Sequence, residues 1–404
     1  MGLRRLVGLA MAGVTALPTV GAGQAPGKGF DRAWAPVQAY FHQVLKEEGV
    51  VGGALTFFHG DSVLAREVHG YADLATHRKV DERTIFHWAS ITKTLTGIAI
   101  MQLRDRGRLR LTDPIVRYVP ELRKVHDPYG DVSEITIGML MSHAAGFRNS
   151  TWPWGGDQPW QPFEPTDWSQ LVAMMPYTEI LFPPGSKYSY SNPGIIFLGR
   201  TIEGLTDDDF EVYMEKNVLR PLDMRSAYYD ITPYHLLEYR SNNYTMVDGS
   251  PKANGLDFDT GITTSNGGLN ASLPDMVKYL QFLVGAPGLS VDARNVLARS
   301  SLEEMWRPVL PLAPGSADSI GRSYFIYHRN GLRLLGHTGS QAAFRSFFYL
   351  DPVSRTGVIA AFNTAPADDP RNPPDAEAAK PRIGVIFDGL LDRLAGSVFP
   401  YFRP

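Results

Sequence analysis

Strand texture is confined to the two ends of this chain, and that distribution limits the folds open to it. Gly53-Ala-Leu-Thr-Phe-Phe-His59 and Ser62-Val-Leu-Ala-Arg-Glu-Val-His-Gly70 are β-like runs separated by Gly60-Asp61, a hairpin signal. Strand texture returns at Arg322–Tyr327, Leu332–Leu335, Ser346–Leu350 and Gly357–Phe362, with turns at Asn330-Gly331 and Asp351-Pro352. From Ile98 to about Leu283 the texture is mostly helical, with a short helix expected over Thr136–His143, ending before Gly146, and another over Asp275–Leu283. Trp34, Val37, Tyr40, Phe41, Val44 and Leu45 recur at helical spacing from Asp31 to Glu48, and a last amphipathic helix runs from about Ile383 to Ala395. The pattern predicts an α+β fold: an antiparallel β-sheet flanked by N- and C-terminal helices, with a helical lobe inserted. One domain is expected over 30–400, its sheet lobe about 30–89 and 285–400 and its helical lobe about 90–284. Three connections stand out. Trp152 to Trp168 holds four of the seven tryptophans with no strand or helix period, a long irregular loop of the kind that usually carries function. Pro311 to Ser319 reads as a linker, and Thr364 to Pro381 as a polar, Pro-rich surface loop.

The composition, 44% hydrophobic and 20% charged over 404 residues, is that of a globular chain with a substantial core. There is no cysteine, which excludes disulfides, thiolate metal sites and a cysteine nucleophile and leaves stability to packing. The formal charge of −3, with no run of Lys or Arg, excludes a nucleic-acid footprint. Met1-Gly-Leu-Arg-Arg5, an apolar stretch from Leu6 to Leu17, Pro18 and the Val20-Gly21-Ala22 cleavage pattern read as an export signal over 1–22. A periplasmic or secreted destination follows. Arg4-Arg5 is compatible with a twin-arginine route. The apolar run is too short for a stable membrane span and is broken by Pro18.

Chemistry enters at His87-Trp88-Ala89-Ser90-Ile91-Thr92-Lys93, which places a serine at the expected start of an apolar helix and a lysine three residues later on the same face. A serine hydroxyl is a weak nucleophile at neutral pH and needs a base in hydrogen-bond reach. An amine one turn away can serve if its pKa falls from about 10.4. Alone, Ser-x-x-Lys is a chance-level pattern, and Ser90 reads equally as a helix N-cap beside a solvated lysine. Other chemistries lack support: there is no Gly-x-Ser-x-Gly elbow, no His-Glu-x-x-His and no phosphate loop, so neither metal nor other cofactor is expected.

Ser90-x-x-Lys93, Tyr190-x-Asn192 and His337-Thr338-Gly339 each occur once, in that order. In these three boxes the chain resembles the serine β-lactamase and penicillin-binding-protein superfamily. It is most similar to the branch of class C β-lactamases, D-Ala-D-Ala carboxypeptidases, D-aminopeptidases and family VIII esterases. Ser142-His-Ala-Ala-Gly146 looks like that branch's His-x-Ser-Gly turn, and Phe344-Arg-Ser346 follows the third box as it does there. The resemblance covers nearly all of the chain after the signal. It implies Ser90 as a nucleophile forming an acyl-enzyme, with Lys93 and Tyr190 sharing its proton. Asn192 would donate to the acyl side-chain amide and help hold Lys93. The oxyanion hole would be the backbone N–H groups of Ser90 and of Ser340 on an edge strand, with Gly339 admitting substrate close to that strand. His337 would contact substrate or support Thr338, and His143 is read as stabilising its turn.

His337 stands where typical β-lactamases carry lysine, which weakens recognition of a β-lactam carboxylate and resembles the peptidase and esterase members instead. The expected function is an exported serine hydrolase cleaving esters or D-amino-acid peptide or amide bonds, with β-lactams as slow substrates at most; its partner is that small-molecule substrate. The alternatives are a class C-like β-lactamase and a penicillin-binding or structural relative that does not turn over. The tryptophan-rich loop suits an apolar acyl pocket or the packing of the helical lobe.

Overall fold

A nine-stranded antiparallel sheet joins the two ends of the chain. The computed structural model describes residues 28–149, 165–366 and 381–403. The export signal, most of the tryptophan-rich loop and residues 367–380 lie outside the described residues. The sheet strands, numbered along the chain, are β1 (Gly52–His59), β2 (Ser62–Asp73), β3 (Arg78–Lys79), β4 (Leu310–Pro311), β5 (Ser319–Ile320), β6 (Phe325–Arg329), β7 (Leu332–Gln341), β8 (Phe344–Asp351) and β9 (Thr356–Phe362). Their spatial order is β3-β2-β1-β9-β8-β7-β6-β5-β4, so that β1 from the N-terminal end lies beside β9, with Gly53 opposite Phe362. Asn330 and Gly331 join β6 to β7 with φ of 50° and 76°, the doubly left-handed turn that suits the strand twist and that Asn-Gly accepts at little cost.

Both faces of the sheet are covered, because its strands alternate apolar residues to either side. Leu55, Phe57, Phe347, Tyr349, Val358, Ala360 and Phe362 pack with α1 (Lys28–Glu47) and the C-terminal helix Ile383–Arg393. Ala54, Phe58, Phe344, Phe348, Leu350, Ile359 and Ala361 join the larger core beneath the helical segment. That core holds α2 (Thr92–Asp105), α3 (Asn192–Thr206) and α4 (Leu273–Val284). The architecture is α+β, as the texture predicts. Each of α3 and α4 starts at a serine whose hydroxyl accepts a backbone N–H of the first turn, Ser191 from Gly194 and Ser272 from Asp275.

Three sequence expectations are corrected. The Pro311–Ser319 linker is the loop of an edge hairpin, because Leu310–Pro311 and Ser319–Ile320 pair with each other and extend the sheet. Thr364–Pro366 is not loop but a strand parallel to Tyr244–Val247, with Thr364 and Ala365 buried. The middle segment is less purely helical than its texture suggests. Leu269–Ser272 pairs with both Ile85–His87 and Tyr228–Tyr229, forming a small sheet whose strands are too short to show a period.

Candidate active site

Ser90 lies in the single 3₁₀ turn Ala89–Ile91 that leads into α2. The turn is held from both sides. Trp88, fully buried, receives its place from the small sheet: its backbone N–H donates to Leu269 O at 2.8 Å and its indole Nε1 to Ala271 O at 3.0 Å. On the other side its carbonyl accepts from Ser346 Oγ of β8 at 3.2 Å. Ala89 is thereby kept at φ +48°, a left-handed conformation that costs an alanine about 1 kcal/mol. His87, one residue before Trp88, braces the same corner. Its Nδ1 meets Asn270 Oδ1 at 2.9 Å and its Nε2 the carboxamide of Gln341, at the end of β7, at 3.1 Å. Burial first, and the nearby Arg240 second, push the His87 pKa down to about 4, so the brace is neutral.

The Ser90 hydroxyl is not used as a cap: α2 has no side-chain cap bond at its N-terminus. Instead Lys93 Nζ lies 3.0 Å from Ser90 Oγ and donates to Asn266 O at 2.7 Å. Lys93 is fully buried, and no carboxylate among the described residues pairs with it. Burial therefore holds its pKa well below the ordinary lysine value. A solvated lysine beside an N-cap serine is not what the chain forms. Tyr190 completes the cluster, its ring centroid 5.0 Å from Lys93 Nζ. Burial raises its phenol above the usual tyrosine value, and a hydrogen bond with the Ser90 side chain opposes this only in part.

Asn192, the first residue of α3, does not hold Lys93 directly. Its Oδ1 accepts from Asn266 Nδ2 at 2.9 Å, and it is Asn266, in the one-turn helix Thr264–Gly267, whose carbonyl receives the lysine. Sequence reasoning missed Asn266. The only signal was Asn266-Gly267-Gly268, which reads as an ordinary turn.

The third box lies on β7, and its position is subtler than an edge strand. β6 pairs with β7 only as far as Phe325 opposite Gly336, while β8 pairs along it to Phe344 opposite Gln341. Residues 337–341 thus project past β6 and present one free edge. Gly339 is needed for a reason other than substrate approach. A Cβ there would stand 2.3 Å from both Trp88 O and Ser346 Oγ, so the glycine lets the strand press against the turn that carries Ser90. By strand alternation His337 shares that side, while Thr338 and the exposed Ser340 turn their side chains the other way. The oxyanion role expected of Ser340 rests on its backbone alone.

His337 is 2% exposed, packed between Phe325 (centroids 5.0 Å) and Tyr190 (6.4 Å), with Nδ1 2.6 Å from Thr338 O. Burial, then the Lys93 charge, push its pKa to about 3. In this position it supports Thr338 and the Tyr190 wall rather than lying open to substrate. His143, expected only to hold its own turn, reaches further: its ring stacks on Tyr190 at 4.4 Å. Trp168, the described end of the tryptophan-rich loop, packs on Phe197 at 6.4 Å and under Arg200 at 5.5 Å, and so belongs to the helical core. Among the described residues no group of acidic or histidine side chains is arranged to hold a metal, and no helix is long and apolar enough to cross a membrane.

A two-sided helix-and-sheet fold with a serine, a buried lysine and a tyrosine converging beside a projecting strand defines the β-lactamase/transpeptidase class of proteins. The sequence profile of the beta-lactamase family matches residues 37–380, and the chain belongs to that family. Among characterised sequences it is 28% identical over 283 residues to Esterase EstB of Burkholderia gladioli, covering 63% of this chain and 71% of that one. It is 23% identical over 319 residues to Protein flp of Staphylococcus aureus strain COL, covering 79% of this chain and 61% of that relative's length. A solved class C beta-lactamase shares the fold at a TM-score of 0.73 and 15% identity, over 93% of this chain and 99% of that one.

Proposed function

We propose that the protein is a serine hydrolase acting through an acyl-enzyme on Ser90, with uncharged carboxylic esters as its preferred substrates. The observation that carries this is the 3.0 Å approach of a fully buried, carboxylate-free Lys93 to the Ser90 hydroxyl. In the neutral amine the same contact runs from Ser90 O–H to Nζ. The lysine takes the proton as Oγ bonds to the substrate carbonyl carbon. The oxyanion faces the backbone N–H groups of Ser90 and Ser340, held together by the His87–Gln341 and Trp88–Ser346 braces. The carbon–oxygen bond to the alcohol breaks as Tyr190 gives its phenolic proton to the leaving oxygen and is reprotonated from Lys93. Water, activated by the same pair, then releases the acid and frees Ser90. Burial lowers Lys93 and raises Tyr190, and both shifts disfavour a lysinium–tyrosinate pair at rest, which supports lysine as the first base.

The preference for uncharged substrates rests on electrostatics. His337 is neutral, Tyr188 is pushed up to about 12 by burial, and Phe325 completes an aromatic wall with no fixed charge. Arg345, opposite Ser340 on β8, alternates to the face away from Ser346 and Trp88. A carboxylate-bearing β-lactam or a peptide with a free C-terminus finds no anchor in this cluster. The name of the EstB relative supports the ester reading. The N-terminal signal pattern supports an exported enzyme.

The test is a panel of a chromogenic short-chain ester, a chromogenic cephalosporin, a D-Ala-D-Ala peptide and a D-amino-acid amide, with mass spectrometry of Ser90. Ester turnover should exceed the others, Ser90→Ala should abolish it at unchanged fold, and an acyl adduct should appear on Ser90. Hydrolysis of none of the four, with no adduct, would show the chain to be a binding or structural relative. His337→Lys should raise cephalosporin turnover, and no gain would count against the electrostatic basis.

A further inference from the structure

His143 occupies a backbone conformation that few side chains adopt, with φ +53° in the turn between the helix Ile137–Met141 and Gly146. What it touches accounts for it. The carbonyl of His143 accepts the backbone N–H of Ser189 at 2.8 Å, and its ring Nδ1 accepts the backbone N–H of Ser191 at 3.1 Å. The two bonds fall on either side of Tyr190, whose ring lies against the imidazole at 4.4 Å with 30° between the planes. One buried residue therefore grips three consecutive residues and leaves the phenol between its own ring and Lys93.

The proton inventory agrees. Because Nδ1 accepts from Ser191, the neutral ring carries its hydrogen on Nε2, which is buried with no hydrogen-bond partner among the described residues. A second proton would fall on Nδ1, facing the Ser191 N–H, and would break the grip. Burial, followed by the charges of Lys93 and His337, keeps the ring neutral. A histidine kept only to shape its turn has no need of an acceptor aimed at Ser191 or of a stacked tyrosine 47 residues further along the chain.

We propose that His143 is a positioning residue for the reaction, acting solely by fixing the Tyr190 phenol between Ser90 and Lys93. This rests on the serine-hydrolase reading above and extends it to a residue outside the three boxes. The proton delivered to the leaving alcohol comes from an oxygen whose place is set by its neighbours' backbone bonds. A displacement of about 1 Å in such a group costs on the order of 100-fold in rate.

Two substitutions separate the two parts of the grip. His143→Asn keeps an acceptor near the Nδ1 position and tolerates a left-handed backbone, but removes the ring. His143→Phe keeps a ring but offers Ser191 no acceptor. With an unactivated alkyl ester, whose leaving oxygen needs the Tyr190 proton, His143→Phe should lower kcat about 10- to 100-fold with KM within about twofold, and His143→Asn should lose less. The decisive measurement is a double-mutant cycle with Tyr190→Phe. In the Tyr190→Phe background either His143 substitution should cost less than about twofold, since nothing remains to position. A further tenfold loss there, or a loss confined to KM, overturns the proposal, as does an unchanged kcat in the single variants. If His143→Phe does not fold, the His143→Asn arm gives the same reading. Retained turnover in Ser90→Ala would instead refute the hydrolase reading itself. An inert Ser90→Ala and a slow Tyr190→Phe beside parent-like His143 variants would refute this inference alone.

Discussion

Replacing Gly339 by alanine sets one methyl group against the turn that carries Ser90, the proposed nucleophile. The new Cβ would stand 2.3 Å from Trp88 O and 2.3 Å from Ser346 Oγ, whereas carbon and oxygen in favourable contact sit about 3.3–3.6 Å apart. Something must move by about 1 Å. Ser346 Oγ is a small side-chain atom and can turn away. Trp88 O cannot, because Trp88 is held by Leu269 and Ala271. The strand must therefore retreat from the Ser90 turn, and the two N–H groups expected to hold the oxyanion separate. A misplacement of that size costs roughly 100-fold in catalysis, about 2.7 kcal/mol of transition-state stabilisation. The overpacking should cost about 1–3 kcal/mol of stability, too little to unfold the chain. The assay is kcat/KM on an activated ester with the thermal midpoint measured in parallel. Gly339→Ala/Ser346→Gly, which clears only the side-chain obstacle, should remain at least about tenfold impaired. A folded Gly339→Ala within about threefold of the parent, or full recovery in the double variant, would refute the reasoning.

Other perturbations follow from the same geometry. Because burial lowers Lys93 and raises Tyr190 above 10, kcat/KM should climb with pH along one limb set by Lys93 and show no descent below about pH 10. With His337 near 3 and His143 also depressed, neither histidine should add an inflection of its own, and a second inflection near 6.5 beside the Lys93 limb would contradict this picture. Asn266→Asp places a carboxylate on the residue whose carbonyl holds Lys93 at 2.7 Å; the opposite charge favours lysinium, so the limb should move to higher pH, and an unmoved limb would show that Lys93 is not the titrating base. Arg403→Ala removes the bidentate partner, at 2.7 and 2.8 Å, of the fully buried Asp351 and should destabilise the fold by about 3 kcal/mol at pH 7 in chemical denaturation. Burial alone would raise Asp351, but bonds from Arg403, Ser354 and Val353 N–H hold it below its ordinary value. A depressed carboxylate contributes stability above its unfolded pKa and loses it as pH falls through the folded one, so parent and variant should converge below about pH 4.

Periodicity was enough for α1 and α4, because each buries one face and so repeats at 3.6 residues, whereas the interior strands, buried on both sides of the sheet, were legible as apolar runs of seven or eight residues bounded by turn residues. Pattern failed where a strand is too short to leave a run. Leu269–Ser272 is buried at all four positions and only four residues long, and Thr364–Pro366 is shorter still. In the site, the residues that supply side-chain chemistry are visible as boxes, since a nucleophile and its base need particular side chains at particular spacings. The ones that supply backbone or act at a distance are not. Asn266 holds Lys93 through a main-chain carbonyl that any residue possesses, and His143 meets Tyr190 across a gap that no local pattern encodes. Gly339 shows a third case: its box position was legible, but the obstacle it avoids is the carbonyl of a residue on another element.

The adjacency of β1 and β9 bears on how the molecule comes to exist. Gly53 and Phe362 are partners inside the main sheet, so the sheet whose β7 carries the third box joins its N-terminal strands only when β9 has been made. A contact of such long sequence separation is entropically slow to form, and the helical segment, with its local contacts, can collapse well before it. During that interval the β1–β2 hairpin leaves the β1 edge, a row of unpaired N–H and C=O groups, without its partner strand. Such a hairpin is prone to pair with another chain, so the yield of active protein should be governed by how soon β9 is synthesised and by chaperones that shield this edge until it arrives.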